Sequence, residues 1–390
     1  MKICMIAYTH YPTDSRVRRE AEALAVRGDD VDFICLGDKN SPKQETFYGV
    51  TLIKIRHNRY RGGNTAQYLL SYIKFFLAAF FQVTALYFQK RYSIIQVHTM
   101  PDFMVFAAII PRILGARIIL DVHDLMPELY QSKFGYSEDH PVIKMLIWIE
   151  RASIWFCHRA IAVHQPHLDV LCSHGNPRDK FIQLLNLPDE KIYQNQQMDI
   201  DQIPTTDFQL VYHGTISKRH GLDIAVRAIS KLTSQIPNLH LEITGAGDGI
   251  DQIEALTVEL QLENAIQINN GMVPMEELVP KLKQADIGIV PLILDDFTQY
   301  MLPVKLLEYV SLEIPVICTR TKTIETYFDD TMVTYFTSGN IDELAKCIVT
   351  LYQNPERRIK QASLASQFLN QYNWNRQKEL YYQLIDSLGI

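Results

Sequence analysis

The run from Lys2 to Gly37, KICMIAYTHYPTDSRVRREAEALAVRGDDVDFICLG, decides how the chain is read. KICMIA and VDFICL are short apolar runs of the kind that make buried strands, and RVRREAEALAVRG between them carries helical spacing. Val17, Ala21, Leu24 and Ala25 form one apolar stripe, Asp14 or Ser15 can cap the helix, and Gly28 can end it. Strand, helix, strand is a βαβ opening. Further along, IIQV precedes His98, IILDV precedes His123, AIAV precedes His164 and FIQLL precedes Asn186. Strands alternating with helices imply a parallel sheet covered on both faces, with ligands bound beyond the carboxyl ends of its strands. Three strands deliver a histidine to that edge. A single strand-end histidine is commonly structural, but three on one rim point to a site.

After Pro188 the composition changes. DEKIYQNQQMDIDQIPTTD, Asp189 to Asp207, is polar and short of aliphatic residues, and reads as a linker. A second βαβ series follows. QLVY leads into HGTISKRHG and a helix from Leu222; LHLEI precedes TGAGDG, AIQI precedes NNGMVP, and IGIVPL follows a helix ending near Ala285. PVICT and MVTYF are further strands, and helices run from Ile341 to the end. The expectation is therefore an α/β chain of two doubly wound, Rossmann-like parallel-sheet domains: residues 1–190, a linker at 191–207, residues 208–372, and a final helix at 373–390, with a cleft between the domains.

With 390 residues, 47% apolar and 21% charged, the chain is globular and long enough for two cores. The net charge of −6 conceals an asymmetry: residues 1–187 carry 22 Lys plus Arg against 17 Asp plus Glu, the remainder 16 against 27. A basic front half suits an anionic surface or ligand, although solvated charge reads the same way. The six cysteines lack a C-x-x-C pair and read as reduced core residues of a cytoplasmic protein. MKICMIAY lacks a signal peptide's apolar core, which argues against secretion. FFLAAFFQVTALYF, Phe75 to Phe88 between Lys74 and Lys90, falls short of the roughly 20 residues that span a bilayer, so a buried or interfacial helix is expected.

Three motifs carry chemistry. In LPVKLLEYVSLEIPVICT, Leu302 to Thr319, Pro303 and Val304 open a helix on which Lys305 and Glu308 share a face. A helix N-terminus with a nearby cation favours a diphosphate, and a carboxylate one turn on can accept ribose hydroxyls. An exposed salt bridge on an amphipathic helix would carry the same spacing. In HGTISKRHG, Gly214 lets a phosphate approach the backbone, while Lys218 or Arg219 can neutralise it. An ordinary βα turn is the plainer reading. DVHDLMPE gathers His123, Asp124 and Glu128 at a strand end, suited to acid chemistry or hydroxyl binding, with an N-cap role for Asp124 also open. It lacks the H-E-x-x-H spacing of a zinc helix, so no metal is expected. TGAGDG brings Gly245 to a strand end but fails as a dinucleotide fingerprint, because the third glycine's place holds Ile250.

Taken together, Asp14 to Glu20, the D-x-H-D-x-x-P-E run, H-G-T-x-x-x-R-x-G and P-x-K-x-x-E-Y resemble the retaining family-four glycosyltransferases of the GT-B fold, in order and over nearly the whole chain. The resemblance implies two facing Rossmann-like domains, the first binding an acceptor and the second an NDP-sugar donor, with the last helix crossing back to the first. Arg219 and Lys305 resemble the family's diphosphate-binding cations, Glu308 its ribose-binding glutamate and His123 the histidine beside the donor sugar; the backbone at Met272 and Val273 would border the base. Fixed cations and backbone amides would stabilise the leaving diphosphate, so no cofactor or metal is implied. The chain departs from the family at two places. Tyr300 stands where the E-x7-E pair has its first carboxylate, leaving Asp295 or Asp296 as substitutes, and YTHYPTDS replaces a glycine-rich loop, leaving contacts there to His10 or Arg16.

The reading is a cytoplasmic hexosyltransferase adding sugar from an NDP-sugar to a glycan or lipid-linked acceptor, with peripheral contact to an anionic membrane and no nucleic-acid partner. A nucleotide-sugar epimerase of the same fold and a non-catalytic two-lobed binding protein are the alternatives.

Overall fold

The computed structural model describes residues 1–38, 40–56, 65–188, 207–271 and 273–389. The chain divides into two compact units, Met1–Asn186 with Asn375–Ile390, and Leu187–Trp374. Most of the stretch read as a linker, 191–206, lies outside the described residues.

In the first unit the strands are β1 (Lys2–Ile6), β2 (Asp30–Gly37), β3 (Gln44–Phe47), β4 (Val50–Arg56), β5 (Ile94–His98), β6 (Arg117–Val122), β7 (Arg159–Ala162) and β8 (Phe181–Gln183). They form one sheet in the order β3-β4-β2-β1-β5-β6-β7-β8, parallel except for β3. The helices are α1 (Ser15–Arg27), α2 (Thr65–Lys90), α3 (Ile109–Ile113), α4 (Met126–Phe134), α5 (Pro141–Phe156) and α6 (Gln165–Ser173). Asp14 caps α1 through the Val17 amide, and Gly28 ends it in the left-handed region at φ 98°. The chain moves one way along the sheet from β1 to β2 and the other way from β4 to β5. Right-handed crossovers therefore set α1 on one face and α2 on the opposite one. The strand order reverses between β1 and β5, the place where such sheets open a binding crevice.

Strands β3 and β4 were not apparent in the sequence. They form an antiparallel hairpin joined by Tyr48 and Gly49, at φ 46° and 84°. Two positive φ values are the two-residue turn that matches strand twist. Tyr at its first position hides the usual Asn-Gly or Asp-Gly signal.

The apolar segment read as 14 residues is also longer than expected. Helix α2 has 26 residues, and its Leu69–Lys90 portion is long and apolar enough to cross a membrane by length and composition. Lys74 does not interrupt it. Nor is it a buried helix, since only 22% of its most apolar window is enclosed.

The second unit has strands β9 (Phe208–Thr215), β10 (Leu239–Ala246), β11 (Ile266–Asn270), β12 (Ile287–Val290), β13 (Val316–Thr319) and β14 (Thr334–Phe336), all parallel in the order β11-β10-β9-β12-β13-β14. Its reversal point lies between β9 and β12. The core gathers Leu210, Tyr212, Leu241, Ile243, Ile287 and Ile289 from the strands with Ile229, Ile253 and Ile348 from the covering helices. The closing helix Trp374–Leu388 belongs to the first unit: Tyr381 donates to Gln96 Oε1 at 2.6 Å, Tyr382 to the Ala23 carbonyl at 2.9 Å, and Arg27 pairs with Asp386 at 2.9 Å.

Candidate active site

In the second unit the site is built at the strand-order reversal. Strand β9 carries His213 and Gly214 just before its end at Thr215, and the helix Val304–Ser311 approaches them. Pro303 is the N-cap of that helix rather than its first residue, and it offers no capping side chain to the first turn. Gly214 sits at φ 104°, and a Cβ there would lie 3.5 Å from Lys305 Nζ. The backbone therefore passes directly beside the ammonium. Lys305 Nζ is enclosed without a hydrogen-bond partner among the described residues, 3.6 Å from the centre of the Tyr212 ring. Burial pushes its pKa down to about 7, against a weaker opposing pull from Glu308. A buried cation with no hydrogen-bond partner among the described residues is an unmet demand for an anion.

Arg219 lies in the turn Lys218–His220, its guanidinium 5.4 Å from the centre of the Phe297 ring. Its carbonyl accepts from Ile293 at 2.9 Å, tying the loop after β9 to the one after β12. Lys218 beside it is exposed. His220 accepts from or donates to Ser217 Oγ at 2.9 Å, and burial, with the charges of Lys305 and Arg219, holds it neutral at a pKa of about 3. Both cations thus bear on His220. Glu308 is held by His213, whose Nε2 lies 2.6 Å from its carboxylate and whose Nδ1 lies 3.1 Å from the Tyr309 hydroxyl.

The glycines explain why the loops approach so closely. A Cβ on Gly245 would lie 1.8 Å from the Gly214 carbonyl oxygen, and one on Gly221 1.8 Å from that of Pro291. Gly245, which TGAGDG brings to a strand end, is required there by strand packing. Met272 lies outside the described residues; Val273, next to it, is half-buried. Of the two carboxylates considered in place of position 300, Asp295 accepts from the amides of Phe297 at 2.9 Å and Thr298 at 2.7 Å, so it shapes its own loop. Asp296 is exposed. Lys322 Nζ lies 5.6 Å from the centre of the Tyr300 ring.

In the first unit, strand register assembles a second cluster. His98 stands opposite Asp121 on the paired strands β5 and β6, and His123, two residues on, shares that face. His98 Nδ1 and His123 Nε2 lie 2.9 Å and 2.8 Å from Asp121 Oδ2, and Arg16 donates to Oδ1 at 2.7 Å. Burial raises the Asp121 pKa, but Arg16 and the imidazoles outweigh it and hold the carboxyl well below its usual range. Burial and the Arg16 charge keep His123 neutral, its pKa lowered. With Nε2–H donated to Asp121, the Nδ1 lone pair of His123 is left to accept from a substrate hydroxyl. His98, Asp121 and His123 are the one group of potential metal ligands that converges among the described residues. Their hydrogen bonds to one another and to Arg16 account for the arrangement, and the guanidinium opposes a divalent cation there.

Several expectations need correction. Arg16, offered for contacts beside the first strand, is paired with Asp121 at 2.7 Å. Of the three rim histidines only two converge; the third, His164, caps α6 by accepting from the His167 amide at 3.2 Å. Asp124 is not an N-cap, a position taken by Leu125. Glu128 holds His174 at 3.2 Å, which Glu150 also contacts at 3.1 Å. Burial would lower the His174 pKa, but the two carboxylates raise it to about 10, making a structural ion cluster.

Residues 14–186 match the family described as Glycosyltransferase Family 4, and residues 194–367 match Glycosyl transferases group 1. The chain is a family-4-like glycosyltransferase. Its fold, GT-B, is shared with solved structures of low identity. Sucrose-phosphate synthase from Thermosynechococcus elongatus superposes with a TM-score of 0.78 at 16% identity, covering 99% of this chain and 100% of that one. HepE of Anabaena, solved with UDP-glucose, gives 0.72 at 13%, covering 99% and 100%. WaaG, described as a glycosyltransferase involved in lipopolysaccharide biosynthesis, gives 0.71 at 15%, covering 98% and 99%. A comparison with curated proteins finds no match. Sequence reading of this glycosyltransferase placed His98 on the rim but missed Asp121 between the two histidines and the part of His213. The strand-end positions of the two histidines were the available signal; the partner of each was not, because the pairing is set by register and by contacts 95 residues apart.

Proposed function

We propose that this glycosyltransferase is a retaining enzyme. It moves a sugar from a UDP- or GDP-linked donor to a glycan or lipid-linked acceptor in surface polysaccharide or glycolipid synthesis, in the cytoplasm and at the inner membrane face. The observation that carries the donor assignment is the Lys305 ammonium, enclosed without a hydrogen-bond partner among the described residues beside the Gly214 backbone. A diphosphate supplies the anion that this ammonium lacks, and Arg219 adds a bidentate donor to the same charge.

The assignment of roles follows from the chemistry of each group. Lys305, Arg219, the Gly214 backbone and the Val304 end of the helix take the diphosphate, with Lys218 at the margin. Glu308, oriented by His213, accepts the ribose hydroxyls. Val273 and Met272 border the base, and His123 contacts the reacting sugar. As the glycosidic bond to the diphosphate breaks, negative charge grows on the departing oxygen, and fixed cations stabilise it most in an enclosed site. The acceptor hydroxyl's proton passes to the departing phosphate as the new bond forms on the same face. No metal is assigned, because these cations perform its electrostatic task. The UDP-glucose bound by HepE and the lipopolysaccharide role stated for WaaG support the donor and acceptor classes.

The test is thermal stability with millimolar UDP, GDP, ADP, dTDP or NAD, followed by diphosphate release from the NDP-sugar of the base that responds. A ligand at about 100 times its dissociation constant stabilises by roughly 2.7 kcal/mol. One selective nucleoside diphosphate is expected, with its effect lost in Arg219→Ala and Glu308→Gln. A response to NAD alone, or to none, sinks the donor assignment. Donor turnover without acceptor would favour the epimerase.

A further inference from the structure

Helix α2 is apolar on two opposite sides. Phe75, Ala79, Val83 and Tyr87 recur every four residues and are buried in the first unit. Ile73, Leu77 and Phe81, offset from them by two residues, are exposed, Phe81 at 67%. Two residues is about 200° around a helix, so the second stripe points directly away from the first. An apolar stripe that turns from the core is unexplained by the fold.

The exposed stripe does not stand alone. The segment Asp102–Ala108 joins α2 to α5 through paired rings, Phe103 with Phe76 at 5.8 Å and Phe106 with Phe156 at 5.1 Å. It leads into α3, where Ile113 is exposed. On α5, Lys144, Trp148, Arg151 and Trp155 follow one helical face, and the two tryptophans are 69% and 74% exposed. They are two of the three tryptophans in the chain. Exposed indole alternating with cations is the chemistry of a membrane interface, where the ring sits at headgroup depth and Lys or Arg meets phosphate.

Charge identifies the occupant. Helices α2, α3 and α5 carry five Lys plus Arg, of which Lys74, Lys144 and Arg151 are exposed, against one carboxylate, the buried Glu150. A second copy seated on this surface would oppose basic to basic. An anionic bilayer is complementary in both respects. Spanning is disfavoured, because the opposite side of α2 is packed into the unit and cannot also face lipid.

We propose that α2, α3 and α5 form one surface that seats the first unit on an anionic bilayer, α2 lying in the interface plane and Trp148 and Trp155 anchoring its edge. This deepens the membrane part of the function proposed above and does not depend on the transfer chemistry.

The experiment uses the full chain and vesicles of phosphatidylcholine with and without phosphatidylglycerol, at low and high salt, read by flotation and by tryptophan emission. Flotation on the anionic vesicles with a blue shift is expected. Both should fall at least about tenfold in the double variant Leu77→Glu, Phe81→Glu, and the blue shift alone should shrink in Trp148→Phe, Trp155→Phe. An unchanged melting temperature and diphosphate response in each variant show that the fold is intact. No flotation, or flotation indifferent to Leu77→Glu, Phe81→Glu, overturns the proposal. So does retention that survives high salt and alkali, which means spanning, or a dimer abolished by the same variants. If flotation fails while transfer to a soluble acceptor persists, the seat falls and the transferase reading stands.

Discussion

Lys305 is the residue on which the largest predictions rest. Its pKa of about 7 in the folded, ligand-free protein lies below the ordinary 10.5, so between those values the unfolded chain binds more protons than the folded one. Stability of the free protein therefore rises with pH across that window, and below it the enclosed charge is fully unfavourable. Lys305→Met should flatten this dependence and raise the melting temperature near pH 6 by the equivalent of about 1 kcal/mol or more, while abolishing stabilisation by the diphosphate. A melting temperature that falls would show that the ammonium already has a partner. Diphosphate binding should draw a proton onto Lys305 near pH 7.5, measurable as a binding enthalpy that varies with buffer ionisation. His213→Gln should weaken nucleoside-diphosphate binding about tenfold through the ribose contact of Glu308, the worth of one hydrogen bond to a charged group; equal affinity would remove His213 from the site. The helical spacing of Lys305 and Glu308 was legible because one turn is local. Their partners were not, since Tyr212 and His213 come from a strand more than ninety residues earlier.

Between elements, the polar face of α1 sets how the first sheet is closed. Arg16 and Glu20, one turn apart, meet Asp121 and Gln96, and Gln96 meets Tyr381 of the closing helix. Burial, with Asp121 nearby, raises the Glu20 pKa to about 7 from 4.5. The folded state then binds more protons than the unfolded one between those values, and stability falls as pH rises through the window. Glu20→Gln should remove that loss, raising the melting temperature at pH 8 more than at pH 5; equal effects at both would show the carboxylate to be ordinary. The two sides of α2 should separate in a pair of variants. Val83→Asp places a charge in the core and should destabilise by about 3 kcal/mol or more, whereas Phe81→Asp should leave unfolding within about 0.5 kcal/mol of wild type. Equal losses would mean both stripes are packed. The opening βαβ unit was readable from period and caps alone. The 26-residue extent of α2 was not, because Lys74 looked like a terminus when read by hydropathy, although one cation on an exposed face costs a helix nothing.

At the scale of the whole molecule the alternation of strands and helices announced two parallel sheets, and the change of composition after Pro188 announced where one series stops. Nothing in the pattern of residues 375–390 says which sheet they cover; that came only from resemblance, since an amphipathic helix carries no address. Deleting residues 375–390 should strip Gln96 of Tyr381 and the Leu185 amide of Gln377 and uncover the sites of Leu384 and Ile385. Calorimetry should show the first unit losing several kcal/mol, on the order of 3 to 5, with the diphosphate response of the second unit retained. Loss of both would mean that the second unit cannot stand without the first. The same arrangement has a consequence in time. The second unit is an insertion within the first, so a ribosome releases all of it before the helix that the first unit awaits. The Leu185 amide must find a partner 192 residues downstream, and closing so long a loop is slow. Until then the nascent first unit presents an uncovered apolar seam, the stage of its life at which aggregation or a chaperone competes for it.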